Sequence, residues 1–215
     1  MMSGYFDEVL VVCENGVVAG RINQKARTRT AIVDAARALV NDGTEITMLA
    51  VARAALVSEA TAYRYFPDLA SVLREAVAGT WPSPTEALAP VAHLDDPVER
   101  IAFATDFLLR RTLAHQSAAR AMIAASITRP QVAAVRPVNR FGLIDEALTT
   151  IRAMDPERLA QLKLDLAVIV SAEALFTLTD LCGLSPDAAI ASAVHTARAV
   201  TATALRPPNA PDARL

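Results

Sequence analysis

The chain has 215 residues, 53% hydrophobic and only 5% aromatic, with 7 Gly, 2 Cys and a formal net charge of -2. That length and apolar content suffice for one or two domains with a substantial core, and abundant Ala and Leu beside few aromatic residues favour helices over sheets. The near-neutral balance excludes a global footprint for nucleic acid. Cys13 and Cys182 form neither a metal pair nor a disulfide framework, and no apolar run approaches the roughly 20 residues of a bilayer span.

Residues 1–20 read as an extension. Val9 to Val12 suit a short strand or helix, disorder is equally open, and Asp7 and Glu8 stand where a signal peptide would be basic. A soluble cytoplasmic protein without a membrane partner is expected. Between 21 and 29 the charges are all positive, at Arg21, Lys25, Arg27 and Arg29, which suits either a phosphate-contacting arm or a solvated, frayed terminus.

From 30 to 43, Ile32, Ala35, Ala36, Leu39 and Val40 fall at helical spacing, and Gly43 supplies a stop. Thr47 caps a short helix over 48–54 and Ser58 another to about 65, since both side chains accept bonds from free helix N–H groups. Asp68 caps a fourth helix with Leu69, Val72, Leu73, Ala76 and Val77 on its apolar face, ending near Gly79. Pro82, Pro84, Pro90 and Pro97 then mark a junction, so domains are expected over 21–80 and 81–205, followed by a loose tail, 206–215.

Asp96-Pro97, Asp155-Pro156 and Ser185-Pro186 each pair an N-cap residue with Pro at the first helical position. They open helices expected over 97–115, 156–182 and 186–205, with two more over 117–128 and 137–153. The 156–182 helix carries two apolar faces, Leu162, Leu166, Ile169 and Val170 on one and Leu164, Val168, Ala172 and Leu175 on the other, predicting burial on both sides. The last helix repeats Ala189, Ala193 and Ala197 beside Ile190 and Val194. Two such helices per chain suit either a dimeric four-helix bundle or intramolecular core.

The segments 47–54 and 58–66, joined by Ala55-Leu56-Val57, have helix-turn-helix spacing. In that motif the second helix enters the major groove with its first side chains on base edges, here Ser58, Glu59, Ala60 and Thr61. Thr47, Val51-Ala52, Ala55-Leu56-Val57-Ser58 and Thr61-Ala62-Tyr63-Arg64-Tyr65-Phe66 resemble the DNA-binding domain of TetR-family regulators over about fifty residues. The resemblance implies phosphate contacts at Thr47, Tyr63 and Tyr65, a place for Arg64 in the recognition helix and a core role for Phe66. Arg64 suits guanine or phosphate equally.

Two positions depart from the family pattern. Leu56 replaces the turn glycine, which disfavours a left-handed backbone, and Leu69 replaces the basic residue usual at the start of helix four. The loss of that contact shifts weight onto Lys25, Arg27 and Arg29.

In the C-terminal half, runs around 136–148 and 172–184 are loosely similar to TetR-type ligand-binding and dimerisation domains. The resemblance implies an all-α repressor that binds a palindromic double-stranded operator as a homodimer through its last two helices and is released by a small apolar ligand. Phe103, Phe107, Met122, Phe141 and Phe176 are either cavity lining or ordinary core, and Thr177 and Asp180 follow Phe176 at spacings that suit the same cavity. His93, His115 and His195 are too scattered for a metal, no catalytic or nucleotide motif occurs, and neither enzyme activity nor a cofactor is expected. A helical enzyme or a protein-interaction dimer using the C-terminal cavity or surface is the alternative.

Overall fold

The computed structural model describes residues 5–42, 46–78, 80–128 and 139–206, and they contain helices and turns with no strand. The expected stops at Gly43 and Gly79, the start at Pro137 and positions 207–215 of the tail lie outside the described residues. The chain divides into two compact units, 1–77 and 78–215, so the division falls slightly before the expected junction at 80/81.

The N-terminal unit contains α1 (Tyr5–Asp42), α2 (Met48–Ala54), α3 (Glu59–Tyr65) and α4 (Leu69–Val77). α1 does not begin near Thr30. It runs unbroken from Tyr5, so 5–20 is helix and Lys25, Arg27 and Arg29 ride on it instead of forming an arm. The expectation followed amphipathic periodicity, which starts only where α1 meets the core: Ile32, Val33, Ala36 and Val40 are buried, facing α2 and α4. Met48, Val51, Ala52, Ala62, Phe66, Val72, Leu73 and Ala76 complete this small core.

Arginines fasten its rim. Arg37 donates from Nε to the Ala76 carbonyl at 3.0 Å and pairs with Asp34 at 2.7 Å. Arg29 lies 4.4 Å over the Phe66 ring, pairs with Glu75 at 2.5 Å and donates to the Tyr65 carbonyl at 3.3 Å, tying α1 to α4 and to the end of α3.

The C-terminal unit contains α5 (Pro84–Leu88), continued by a 3-10 turn (Ala89–Val91), then α6 (Pro97–Ala114), α7 (Gln116–Thr128), α8 (Asn139–Ala147), α9 (Pro156–Ile169), α10 (Ala172–Phe176) and α11 (Pro186–Leu205). The three expected cap-proline starts are present. Asp96 accepts from Val98 N, Asp155 from Glu157 N and Arg158 N, and Ser185 from Ala188 N, each followed by Pro in the first turn. α6 packs on α11, with Ile101, Ala104, Leu108 and Leu109 in one cluster with Ala189, Ile190, Ala193 and Ala197. The alanine stripe of the last helix is therefore spent within the chain; small residues let α6 approach closely, and that face offers nothing to a second copy.

The helix expected over 156–182 is interrupted. Val170 adopts φ -80°, ψ 64°, Ser171 is extended, and the chain restarts as α10 and then a π-helical turn (Thr177–Leu181). Ser171 is the cause: its hydroxyl donates to the Val168 carbonyl at 2.7 Å and accepts from Ala174 N at 3.1 Å, closing one helix and capping the next. Gly183, at φ +70°, completes the exit. Within the single chain one of the two apolar faces is covered and the other is open: Leu162, Leu166 and Val170 are in the core, whereas Leu164 and Val168 are 59% and 73% exposed.

Arg100, in the first turn of α6, is 4% exposed. It donates from Nε to the Ala147 carbonyl at 3.1 Å, from Nη1 to the Val91 carbonyl at 3.2 Å, and from Nη2 to the Glu146 carbonyl at 2.7 Å, with the Glu146 carboxylate at 3.8 Å. The last turn of α8 leaves carbonyls without helical partners; the guanidinium from α6 satisfies that of Ala147, adds to the Thr149 hydroxyl on that of Glu146 and to Leu94 N on that of Val91, and joins the 3-10 turn to both helices. Where α5 meets α8, Gly142 matters: a Cβ there would lie 2.8 Å from Pro84 Cγ.

Candidate nucleic-acid interface

α2 and α3 are each only two turns long, so their ends decide their geometry. Thr47 Oγ1 accepts from Ala50 N at 3.1 Å, and Ser58 Oγ accepts from Thr61 N at 3.1 Å while lying 2.8 Å from Thr61 Oγ1. The hydroxyls of Ser58 and Thr61 thus serve first as an internal cap.

Between the helices, Val57 N donates to the Ala52 carbonyl at 2.9 Å and Leu56 N to the Arg53 carbonyl at 3.1 Å. These are the two bonds of a Schellman closure with Leu56 as the left-handed residue, at φ +56°. The expectation that Leu56 disfavours a left-handed turn is overridden. Two backbone bonds and the Ser58 cap outweigh a Cβ penalty of roughly 1–2 kcal/mol. Leu56 is 93% exposed, so its side chain contributes almost no burial. Leu56→Gly is accordingly expected to stabilise the N-terminal unit by about 1 kcal/mol in denaturant titration, the glycine's greater unfolded-state entropy offsetting part of the relief.

This turn sets α3 on the surface. Ala62 and the following Phe66 point inward, while Glu59, Ala60 and Arg64 are exposed and Tyr63 is 49% exposed. Thr61, Tyr65 and Arg64 flank a groove of about 470 Å³ whose other wall is Gln24, Lys25 and Thr28 of α1. Of the α1 cations expected to meet DNA, Lys25 and Arg27 are exposed, whereas Arg29 is occupied by Glu75, Phe66 and the Tyr65 carbonyl. Leu69 opens α4, where Asp68 caps by accepting from Ser71 N at 2.7 Å.

The residues expected to line a ligand cavity are dispersed within the C-terminal unit. Phe103 and Phe107 pack against the core from α6, Phe107 making a T-shaped contact with Trp81 at 6.5 Å, and Phe176 is in the core itself. Met122 is half-buried, while Phe141 and Thr177 are exposed. Asp180 is engaged by an arginine. It stands in the π turn, exposed, and both its oxygens accept from Arg120, at 2.5 and 2.9 Å. The Arg120 guanidinium, followed by the Thr179 hydroxyl, lowers the Asp180 carboxyl to about 2. A depressed carboxyl contributes above the unfolded value and is lost only as pH falls through the folded one, so this pair persists down to about pH 2. Arg120 also stacks 3.9 Å over Phe176.

Sequence reading did not single out this Arg120 cluster, nor a second groove of about 480 Å³ between α9 and α11, bordered by Arg158, Asp165, Ala199 and Thr203 over Leu162 and Val200. Arg158 braces the groove's end by donating to the Ala204 and Arg206 carbonyls at 2.8 and 2.9 Å. The signal available was the Leu164/Val168 pair at i, i+4 beside this edge, read as buried.

Neither protein-family profiles nor curated proteins match the chain. Solved structures do match, among them a protein from Mesorhizobium loti MAFF303099 whose name assigns it to the TetR family of transcriptional regulators. It is 17% identical, over 84% of this chain and 96% of that one, with a TM-score of 0.31. A likeness of that order identifies no function, and the case for one rests on the residues themselves. No helix among the described residues is long and apolar enough to cross a membrane, and they hold no cluster of metal-ligating side chains.

Proposed function

We propose that the protein is a TetR-type transcriptional regulator of the cytoplasm that binds a palindromic operator as a homodimer and is released by a small apolar ligand held in its C-terminal unit. The observation that carries this reading is the pair of short capped helices, α2 and α3, closed by a Schellman turn that leaves Glu59, Ala60, Tyr63 and Arg64 on the surface, Arg64 sharing a groove with Lys25. A compact helix with exposed side chains on one flank suits the major groove.

A second copy is the partner that best suits α9 and α11. Leu164 and Val168 project from the outer side of α9, and the α9–α11 groove runs beside them. A ridge next to a groove on the same surface is self-complementary under two-fold symmetry. Dimerisation would set two recognition helices against half-sites about 34–36 Å apart, so a ligand favouring another spacing would weaken both contacts together.

The direct test is a salt titration of the purified protein against fragments of the DNA upstream of its own gene, wild type beside Tyr63→Ala. Binding selective for one fragment, falling steeply with salt and weakened about tenfold or more by the substitution, is the expected result. A folded dimer that binds no fragment selectively would refute the regulator reading.

A further inference from the structure

Resting on that reading, we infer that Arg64 and Lys25 together seat one backbone phosphate of the operator in the α1–α3 groove, so that Arg64 positions the protein on DNA and does not read guanine. Arg64 lines the groove with Thr61 and Tyr65, its guanidinium 5.8 Å from the Tyr65 ring, whereas Glu59, Ala60 and Tyr63 do not line it. Lys25 faces it from α1.

Neither cation has a carboxylate partner among the described residues, unlike Arg29 and Arg37, which are neutralised by Glu75 and Asp34. Two uncompensated positive charges on separate helices, sharing one partly polar groove, repel each other until an anion enters. A phosphate is the anion that every DNA sequence supplies there. Gln24, on the same wall as Lys25, adds an amide donor.

A base-reading arginine and a phosphate-holding one differ in what their loss does. Holding one shared phosphate predicts that Arg64→Gln and Lys25→Gln each weaken binding about five- to tenfold, equally across operator variants, with the log–log salt slope less steep by a fraction of one in each and by about one in the double variant. The double variant loses less than the product of the single losses, because both side chains act on the same group. Arg64→Lys restores most of the affinity, since a phosphate accepts a point charge whereas the two acceptors of guanine prefer the guanidinium fork.

The experiment is a selection from a randomised half-site followed by salt titrations of wild type, Arg64→Gln, Arg64→Lys, Lys25→Gln and the double variant, with thermal melts checking that each folds. Unchanged base preference, a reduced slope and rescue by lysine are expected. A changed preference at one position in Arg64→Gln, or a double loss equal to the product of the single ones, would overturn the shared phosphate seat while leaving the regulator reading intact. No selective binding by wild type would sink both.

Discussion

Replacing Arg100 with methionine destabilises the C-terminal unit by about 2 kcal/mol, lowering its unfolding transition by roughly 7 °C in scanning calorimetry. Methionine keeps most of the apolar stem, so the loss isolates the guanidinium. That group donates to the carbonyls of Glu146, Ala147 and Val91 in a site where Arg100 is almost fully enclosed. Val91 keeps the Leu94 N–H at 3.1 Å and Glu146 the Thr149 hydroxyl at 2.8 Å, so it is the Ala147 carbonyl that is left without a donor, at a cost of about 1–3 kcal/mol less whatever water regains. The Glu146 carboxylate is partly exposed and only 3.8 Å from Arg100, so solvent takes over its charge and no second ion is stranded. A change below about 1 kcal/mol would mean that water enters and replaces the donors, and that the arginine is incidental to the packing of α6, α8 and the 3-10 turn.

On the proposed dimer through α9 and α11, Leu164→Asp is expected to leave the monomer's stability within about 0.5 kcal/mol but to raise the dimer dissociation constant at least a hundredfold. Leu164 is 59% exposed in the single chain, so an aspartate there disturbs no core. Two-fold symmetry doubles the effect. Each interface loses two leucines, each worth about 1.5–3 kcal/mol when fully buried and less for the part already covered, and gains two carboxylates to desolvate. Sedimentation velocity across a concentration series separates the outcomes. A variant that still dimerises like wild type would move the interface away from the α9 ridge, and Val168→Asp, one turn further on, would then be expected to be equally silent.

Elements defined by local chemistry were readable from the sequence, and those defined by competition were not. Asp96, Asp155 and Ser185 announce their helices because cap and proline act on adjacent backbone. Thr47 and Ser58 likewise delimit α2 and α3, and with them most of the candidate DNA face. Ser171 looked like one more residue in a long apolar period, and only its two backbone bonds show that it divides α9 from α10. The alanine stripe of α11 could serve an internal or an external helix equally well, since close approach has the same signature in both, and α6 takes it. Arg29 was indistinguishable from Lys25 as a basic residue. The difference lies in Glu75, whose position beside α1 depends on how α4 folds back.

Leu56 illustrates the same limit from the other side. The residue is a poor choice for its conformation, and the fold holds it there through bonds made by its neighbours' backbone, which any residue at those positions would supply.

The continuity of α1 through its basic stretch changes the thermodynamic character expected of DNA recognition. Cations on a flexible tail must be immobilised as they bind, at about 1–2 kcal/mol of backbone entropy for every residue ordered. Lys25 and Arg27 stand on a helix that extends on both sides of them. Their backbone is already ordered before any polyanion arrives. Association through this face therefore lacks the large negative heat capacity change of coupled folding, and the free energy of counterion release passes to affinity with little withheld for ordering the chain.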